Sequence, residues 1–359
     1  MERKLMKGNE AVGEAAIAAG CRYFFGYPIT PQNELPEYMA RRLPEVGGTY
    51  LQAESEVSAI NMVYGAAGAG ARVMTSSSSP GISLKQEGLS YLAGAELPCV
   101  VVNMMRGGPG LGGIQPAQSD YFQATKGGGH GDYHLLVLAP AYVQELVDLV
   151  QEAFDLADKY RNPVMILGDG VLGQMMEPVA ITKYIDPRDL PKKEWATTGA
   201  SGRRPNLINS LYIDPVELAA HNRKLAAKYQ RMCREEQRFQ EYCLEDAETI
   251  LVAYGVMARI CRSVVDMARH SGLKWGLFRP ISLYPFPGDA LYDRAKEAGV
   301  RRVVTAELSC GQLIEDVRLA LDGLVPTELL AYPGGLVPSP AEVFRQAKSE
   351  RGALNGCSA

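Results

Sequence analysis

Phe24-Phe25-Gly26-Tyr27-Pro28-Ile29-Thr30-Pro31 and, one helix length further on, Tyr50-Leu51-Gln52-Ala53-Glu54-Ser55-Glu56 share a pattern, a short apolar run that ends in polar residues. Each reads as the carboxyl end of a buried strand passing into a helix. Thr30 before Pro31 has the form of an N-cap followed by the favoured first helical residue, and Ser55 can cap a helix running through Val57, Ile60, Met62 and Val63. Ligands of open α/β sheets sit at the carboxyl ends of strands. One hydroxyl, one carboxylate and two helix N-termini are therefore expected to face a single crevice.

The same alternation extends on both sides. Strands are expected at 22–27, 49–53, 72–77, 98–105, 135–139 and 164–168, separated by helices at 9–19, 31–43, 56–69, 82–93 and 142–160. Pro36 lies inside the second of these helices, where it kinks the helix or resets its start. Such alternation predicts a mostly parallel sheet with helices on both faces. From 178 to 213 the pattern breaks into irregular Pro-, Lys- and Arg-containing sequence. A charged helix is expected from Asp214 to Cys243, with Leu225, Tyr229, Met232, Phe239 and Cys243 at helical spacing. A second alternating unit follows, with a strand at 249–255, helix 257–270, strand 275–279, helix 288–298, strand 302–308 and helix 311–323. The expected fold class is α/β, two doubly wound, mostly parallel-sheet domains joined by a helical connection. The boundaries fall at 1–177, 178–248 and 249–350, with a tail at 351–359.

Bulk properties exclude several functions. The 359 residues are 47% apolar and 22% charged, as in globular proteins, and a net charge of -4 offers no electrostatic case for nucleic acid. No apolar run reaches membrane-spanning length, and Met1-Glu2-Arg3-Lys4 opens no signal peptide, so a cytoplasmic location is expected. The seven cysteines are scattered without a Cys-x-x-Cys pair, so an electron-transfer metal centre belongs on another chain.

Several motifs bear on chemistry. Gly65 to Gly70 closes a helix rather than opening one and is no dinucleotide fingerprint. Arg106-Gly-Gly-Pro-Gly-Leu-Gly-Gly113 follows a strand with no helix after it, which suits a backbone-rich binding loop continuing to Gly127-Gly-Gly-His130-Gly-Asp132. Gly168-Asp169-Gly170 has the start of a magnesium-diphosphate motif, but its asparagine ligand is missing; the next asparagine, Asn206, falls in the irregular connection. Arg106 ends an apolar strand, where a cation needs an anionic partner or a ligand. Glu56 suits the first turn of a helix, as an acid facing the helix dipole. Glu54 precedes the Ser55 cap, where the strand delivers it into the crevice, and is the expected catalytic carboxylate. Ser76 to Ser79 add hydroxyls at the same edge, and His130 is the one histidine in a loop of functional character.

Together Phe25-Gly-Tyr-Pro-Ile-Thr-Pro31, Gln52-Ala-Glu-Ser-Glu56, Thr75-Ser-Ser-Ser-Ser-Pro-Gly81, Arg106-Gly-Gly-Pro-Gly110 and Gly128-Gly-His-Gly-Asp132 resemble the alpha subunit of 2-oxoacid:ferredoxin oxidoreductases. The resemblance is greatest to the 2-oxoisovalerate (branched-chain) and 2-oxoglutarate types. The stretch 249–323, with Arg279-Pro-Ile-Ser-Leu-Tyr-Pro-Phe-Pro287, resembles that family's transketolase C-terminal-like domain. The resemblance implies a pyrimidine-binding domain for thiamine diphosphate, with coenzyme A as co-substrate. A beta subunit would hold the diphosphate, Mg2+ and a [4Fe-4S] cluster, and a gamma subunit, a ferredoxin-like delta subunit and external ferredoxin would complete the electron path. Glu54 would contact the aminopyrimidine, Thr30 and Arg106 the 2-oxoacid, and Tyr27, Pro28, Ile29 and Ser79 the cofactor, with His130 and Asp132 as further loop contacts. Two other readings stand beside it, half of a non-redox thiamine enzyme and a non-catalytic α/β partner subunit.

Overall fold

A computed structural model describes residues 3–349; the expected tail at 351–359 lies outside the described residues. The first unit runs β1 (Lys4–Lys7), α1 (Gly8–Ala18), β2 (Tyr23–Gly26), α2 (Glu34–Glu45), β3 (Thr49–Gln52), α3 (Glu56–Gly68), β4 (Val73–Ser77), α4 (Pro80–Gly94), β5 (Cys99–Met105), α5 (Tyr121–Thr125), β6 (Leu136–Leu138), α6 (Val143–Tyr160), β7 (Pro163–Asp169), α7 (Gly170–Gln174) and β8 (Met176–Val179). After an irregular connection come α8 (Pro215–Glu235), β9 (Phe239–Tyr242), β10 (Thr249–Val252), α9 (Gly255–His270), β11 (Trp275–Pro280), β12 (Ser282–Tyr284), α10 (Gly288–Glu297), β13 (Arg302–Glu307), α11 (Leu313–Leu321), β14 (Thr327–Ala331) and α12 (Pro340–Lys348).

Two mostly parallel sheets result, as the alternation predicts. The larger has seven strands in the order β12-β6-β7-β5-β4-β2-β3, parallel except for β12. Its central strands β5 and β7 are buried at every position, as strands covered on both faces must be. The smaller sheet has the order β14-β13-β10-β11-β9 and is parallel except for β9. The two exceptions tie the units together: β12 leaves the second unit to pair with β6, and β9 joins the second sheet from the connection.

Three local expectations are corrected. The helix expected from 31 begins at Glu34, with Asn33 at its N-cap, so Thr30 is not a cap. Residues 29–33 form a turn instead, in which the Gln32 amide donates to the Ile29 carbonyl (3.1 Å) and the buried Gln32 side chain accepts from Ser76 Oγ (2.5 Å). Pro36 then falls in the first turn of α2, where no intrahelical donor is needed, in keeping with the expected alternative that the helix start is reset. The helix expected to reach Cys243 stops at Glu235, and Phe239–Tyr242 is a strand. The extended chain stacks Phe239 on Phe278 of β11 with centroids 5.1 Å apart, a cross-strand contact that a helix could not make.

Asp169 closes β7 as a strand terminus and anchors the seam. Its Oδ1 accepts from the Val171 and Leu172 amides (2.9 and 3.0 Å), capping α7, and its Oδ2 accepts from Val256 at the start of α9 (3.4 Å). Burial pushes its carboxyl up from the usual aspartate range, against these bonds. Gln118 adds four bonds across the seam, to both backbone groups of Leu308, to the Tyr254 carbonyl and from the Tyr254 hydroxyl, and Arg279 makes a two-pronged pair with Glu145 (2.8 and 2.5 Å). Asp169→Ala strands buried amides on both units and is expected to lower stability by about 3 kcal/mol. The urea midpoint of the purified chain measures it, and an unchanged midpoint would remove Asp169 from the seam's energetics.

Candidate functional site

Five strands of the larger sheet deliver their ends to one edge: Asp169 as the last residue of β7, Arg106 after β5, Ser78 and Ser79 after β4, Tyr27 to Thr30 after β2, and Glu54 to Glu56 after β3. Parallel pairing forces this convergence, because every strand ends on the same side. The expected crevice is present, and Thr30 and Arg106 meet in it.

Arg106 is buried at 7% exposure. Its Nη1 donates to the Thr30 carbonyl and its Nη2 to the Leu111 carbonyl, both at 3.0 Å, while Nε has no partner. Among the described residues no carboxylate lies within ion-pair distance of it. The loop that supplies the Leu111 carbonyl folds back tightly. Gly112 has φ +61°, and a side chain there would collide with the Gly107 carbonyl. Arg106 is thus held by neutral acceptors, with its charge unmatched, beside the exposed Thr30 hydroxyl.

The two glutamates are placed opposite to expectation. Glu54 is exposed, and its carboxylate accepts from Ser58 Oγ at 2.6 Å, a bond that favours the charged form. Ser55 caps α3 as expected, accepting from the Ser58 amide at 3.2 Å. Glu56 is 6% exposed, and among the described residues nothing donates a hydrogen bond to its carboxylate. It abuts the start of α4, where a Cβ on Gly81 would come within 2.5 Å of its Oε1. Ser77 Oγ and Ser78 Oγ, buried beside that turn, also lack partners.

Ser79 adopts φ +21°, held by neighbours. Its amide donates to Asn103 Oδ1 (3.1 Å), its hydroxyl to Asp120 Oδ2 (2.6 Å), and Arg106 N donates back to its Oγ (3.0 Å). Burial pushes the Asp120 carboxyl up, opposed by bonds from Ser79 and Asn103. Ser79 and Asp120 line a cavity of about 390 Å3 at the seam, whose other wall is Leu308, Cys310 and Gly334. His130 and Asp132 are not brought to this crevice. Their loop lies along α4, with Ser90 donating to the His130 carbonyl and Gly129 packed on the Gln86 backbone, and both side chains are exposed.

Sequence reasoning passed over Glu56, Asn103, Asp120 and Lys85. Lys85 sits on the buried face of α4 with Ile82, Gln86, Leu89 and Ala93 and is fully buried. A signal existed, a charge on the buried face of a periodic helix.

Comparison with known proteins agrees with this geometry. Residues 14–241 match the family model "Pyruvate flavodoxin/ferredoxin oxidoreductase, thiamine diP-bdg", and 247–343 match "Pyruvate:ferredoxin oxidoreductase core domain II". "Ketoisovalerate oxidoreductase subunit VorB" of Methanothermobacter thermautotrophicus is 50% identical over 98% of this chain and 99% of its own. The chain belongs to the 2-oxoacid:ferredoxin oxidoreductase family. Its place in that family is that of an alpha-type subunit, and the reading as half of a non-redox thiamine enzyme falls away. A second relative, "2-oxoglutarate synthase subunit KorA" of the same organism, is 35% identical over 96% of this chain and 97% of its own. A solved 2-oxoglutarate:ferredoxin oxidoreductase from Magnetococcus marinus, with 2-oxoglutarate, coenzyme A and succinyl-CoA bound, superposes with a TM-score of 0.84 at 27% identity. That match covers 97% of this chain and 65% of the solved one. A split-gene transketolase, at 14% identity and a TM-score of 0.58, shares the fold.

The residues present fit the pyrimidine half of thiamine diphosphate in this oxidoreductase subunit. A buried carboxylate without a donor is what a ring N–H requires, and the glycine at 81 leaves it uncovered. Among the described residues no cluster of three histidine, cysteine or acidic side chains could hold a metal ion, and no helix is long and apolar enough to cross a membrane. Arg106→Met tests whether the guanidinium is structural. It is expected to leave the stability of the chain within about 1 kcal/mol of the parent, whereas breaking a buried ion pair costs about 3–5 kcal/mol. Thermal and urea unfolding of both proteins decide the matter.

Proposed function

We propose that this subunit recognises a branched-chain 2-oxoacid, 2-oxoisovalerate in the first place, and holds the aminopyrimidine of thiamine diphosphate with Glu56. The observation that carries it is the pairing of two unmatched buried charges at one sheet edge, a carboxylate without a donor and a guanidinium without an acid. Thiamine diphosphate, when bound, supplies the electron sink that lets a 2-oxoacid lose carbon dioxide. The Glu56 carboxylate accepts from, and can return a proton to, a pyrimidine ring nitrogen. Arg106, fixed by the Thr30 and Leu111 carbonyls, offers its remaining N–H groups to the substrate carboxylate, and the Thr30 hydroxyl adds a neutral bond. Tyr27, Pro28, Ile29 and Ser79 form the adjoining wall.

The preference for a branched chain rests on two supports. The loop beside Arg106 carries exposed apolar Leu111 and Ile114 and no second cation that a dicarboxylate would need. The ketoisovalerate relative is also markedly nearer in sequence than the 2-oxoglutarate one. The rest of the cofactor falls to other chains: a beta subunit would hold Mg2+, the diphosphate and a [4Fe-4S] cluster. Gamma and ferredoxin-like delta subunits would carry electrons to ferredoxin in the cytoplasm, with coenzyme A accepting the acyl group.

Glu56→Gln in the assembled complex is expected to lower turnover on the order of 10²-fold or more, since an amide cannot take the proton. Glu54→Gln is expected to change it by less than about threefold, as befits an exposed acid. Hydrogen–deuterium exchange at the thiazolium carbon reads both, and a reversed order would return the role to Glu54. The complex is also expected to reduce a viologen dye with coenzyme A and 2-oxoisovalerate at a kcat/KM at least about tenfold that with 2-oxoglutarate, a second buried carboxylate being costly to leave unpaired. Steady-state rates on the two acids measure it, and equal values would sink the branched-chain assignment.

A further inference from the structure

Arg106 is pinned at both ends, and the pin at its backbone end is built from residues that the reaction so far does not use. The guanidinium is held by the Thr30 and Leu111 carbonyls, while the Arg106 amide donates to Ser79 Oγ at 3.0 Å. A hydroxyl has a single proton, and two acceptors stand near that of Ser79: Asp120 Oδ2 at 2.6 Å and the Arg106 carbonyl at 3.3 Å. The Asp120 oxygen is much the nearer and takes the proton, which leaves a lone pair of Ser79 Oγ for the Arg106 amide. Ser79 itself stands at φ +21° and ψ −78°, a costly conformation for a residue with a side chain, so its neighbours must hold it. Asn103 does so from within β5. It is fully buried, and both halves of its amide are engaged here, Oδ1 accepting from the Ser79 amide (3.1 Å) and Nδ2 donating to Asp120 Oδ2 (2.9 Å).

Asp120 is placed in turn by the second unit. Gln312, at the N-cap of α11, grips the chain on both sides of it. Its Nε2 donates to the Ser119 carbonyl (2.7 Å), and its Oε1 accepts from the Phe122 amide (2.8 Å). Glu307, the fully buried last residue of β13, fixes Gln312, its Oε2 accepting from the Gln312 and Leu313 amides at 2.8 and 3.1 Å. A line of hydrogen bonds thus runs from the second sheet through Gln312, the segment 119–122, Asp120 and Ser79 to the amide of Arg106.

We propose that Asp120, held by Gln312, is a positioning residue for substrate recognition: through Ser79 it sets the backbone of Arg106, and with it the fork that meets the 2-oxoacid carboxylate. This rests on the assignment of Arg106 to that carboxylate. A two-pronged guanidinium–carboxylate pair is directional, so a small shift at its root misaligns both bonds. The part of Asp120 is that of an acceptor, because among the described residues both of its side-chain bonds are received by Oδ2. An asparagine keeps such an oxygen, and a leucine of similar size does not.

The test uses the assembled complex carrying Asp120→Leu, Asp120→Asn, Gln312→Leu, Arg106→Met, or Asp120→Leu with Arg106→Met. Viologen reduction is followed with coenzyme A and each of 2-oxoisovalerate and 2-oxoglutarate, and thiamine diphosphate affinity is measured by calorimetry. Asp120→Leu is expected to raise KM for the better 2-oxoacid about tenfold, while kcat, KM for coenzyme A and cofactor affinity stay within about threefold. Gln312→Leu is expected to raise the same KM about fivefold, and Asp120→Asn to stay within about threefold of the parent throughout. Adding Asp120→Leu to Arg106→Met is expected to change kcat/KM no further. Losses as large in Asp120→Asn as in Asp120→Leu would make Asp120 a carrier of charge or protons, and equal losses with and without Arg106 would make it a packing residue. Either result overturns the proposal, as does an unmoved KM in Asp120→Leu. An unaltered kcat/KM in Arg106→Met alone fails the assignment of Arg106, and the relay with it. Should Asp120→Leu not assemble, Gln312→Leu decides: the expected rise in KM supports the relay, and a parental KM overturns it.

Discussion

A parallel sheet covered on both faces leaves polar side chains one place to meet, its carboxyl edge. Every chemically useful group in this chain follows from that constraint. β5 and β7 are buried from end to end, so neither can present a side chain to a ligand along its length. Arg106 and Asp169 become available because they stand where those strands stop. Asp169 spends its position on the seam, capping α7 and holding the first turn of α9. Arg106 is left with neutral acceptors and a free charge. Two residues at equivalent positions thus diverge, because only one has a second unit packed against it.

The crevice itself was legible in the sequence, since apolar runs ending in Thr, Ser and Glu repeat at the ends of β2, β3 and β4. Which of the two glutamates is buried is legible too, from the helix that follows. Burial along β3 does not alternate, so the strand alone does not decide between them; Ala53 is buried and Glu54 exposed just beyond its end. Period 3.6 along α3 puts Glu56 on the face of Ala59, Ile60 and Val63, which is buried. Reading Glu56 as a plain helix-dipole acid overlooked that the dipole stabilises an acid equally well on either face, whereas burial selects one. Lys85 carries the same message on α4. In both cases the informative observation is a charge in register with an apolar stripe.

What the sequence withheld depends on pairing between distant residues. β1, β8, β9, β12 and β14 lie outside the regular strand–helix alternation, and β1 with β8 makes a separate ribbon. β12 and β9 exchange partners between the two units, so the boundary near 248 divides the chain but not the sheets. The turn at 29–33 was mistaken for a helix start because Thr-Pro is a good local signal. A long-range bond from Ser76 to Gln32, and clamps from Asn9 and Gln174 on the Pro31 carbonyl, outweigh it. Local propensity lost there to contacts it cannot sense.

An edge with an unmatched cation and an unmatched anion is not at an energetic optimum. Each charge pays a desolvation cost that a chain selected for stability alone would remove with an apolar side chain. Nor do Arg106 and Glu56 cancel each other, since neither lies within ion-pair distance of the other. Arg106 stands just past the end of β5 and Glu56 at the first turn of α3, and glycines near them, at 81, 107 and 108, carry no side chain into the space. The separation is therefore a property of the backbone framework rather than of the side chains. It leaves the carboxylate without a donor and the guanidinium without an acid among the described residues. Such a site is held by its backbone, and any ligand that met either charge in the folded chain would add to its stability by mass action.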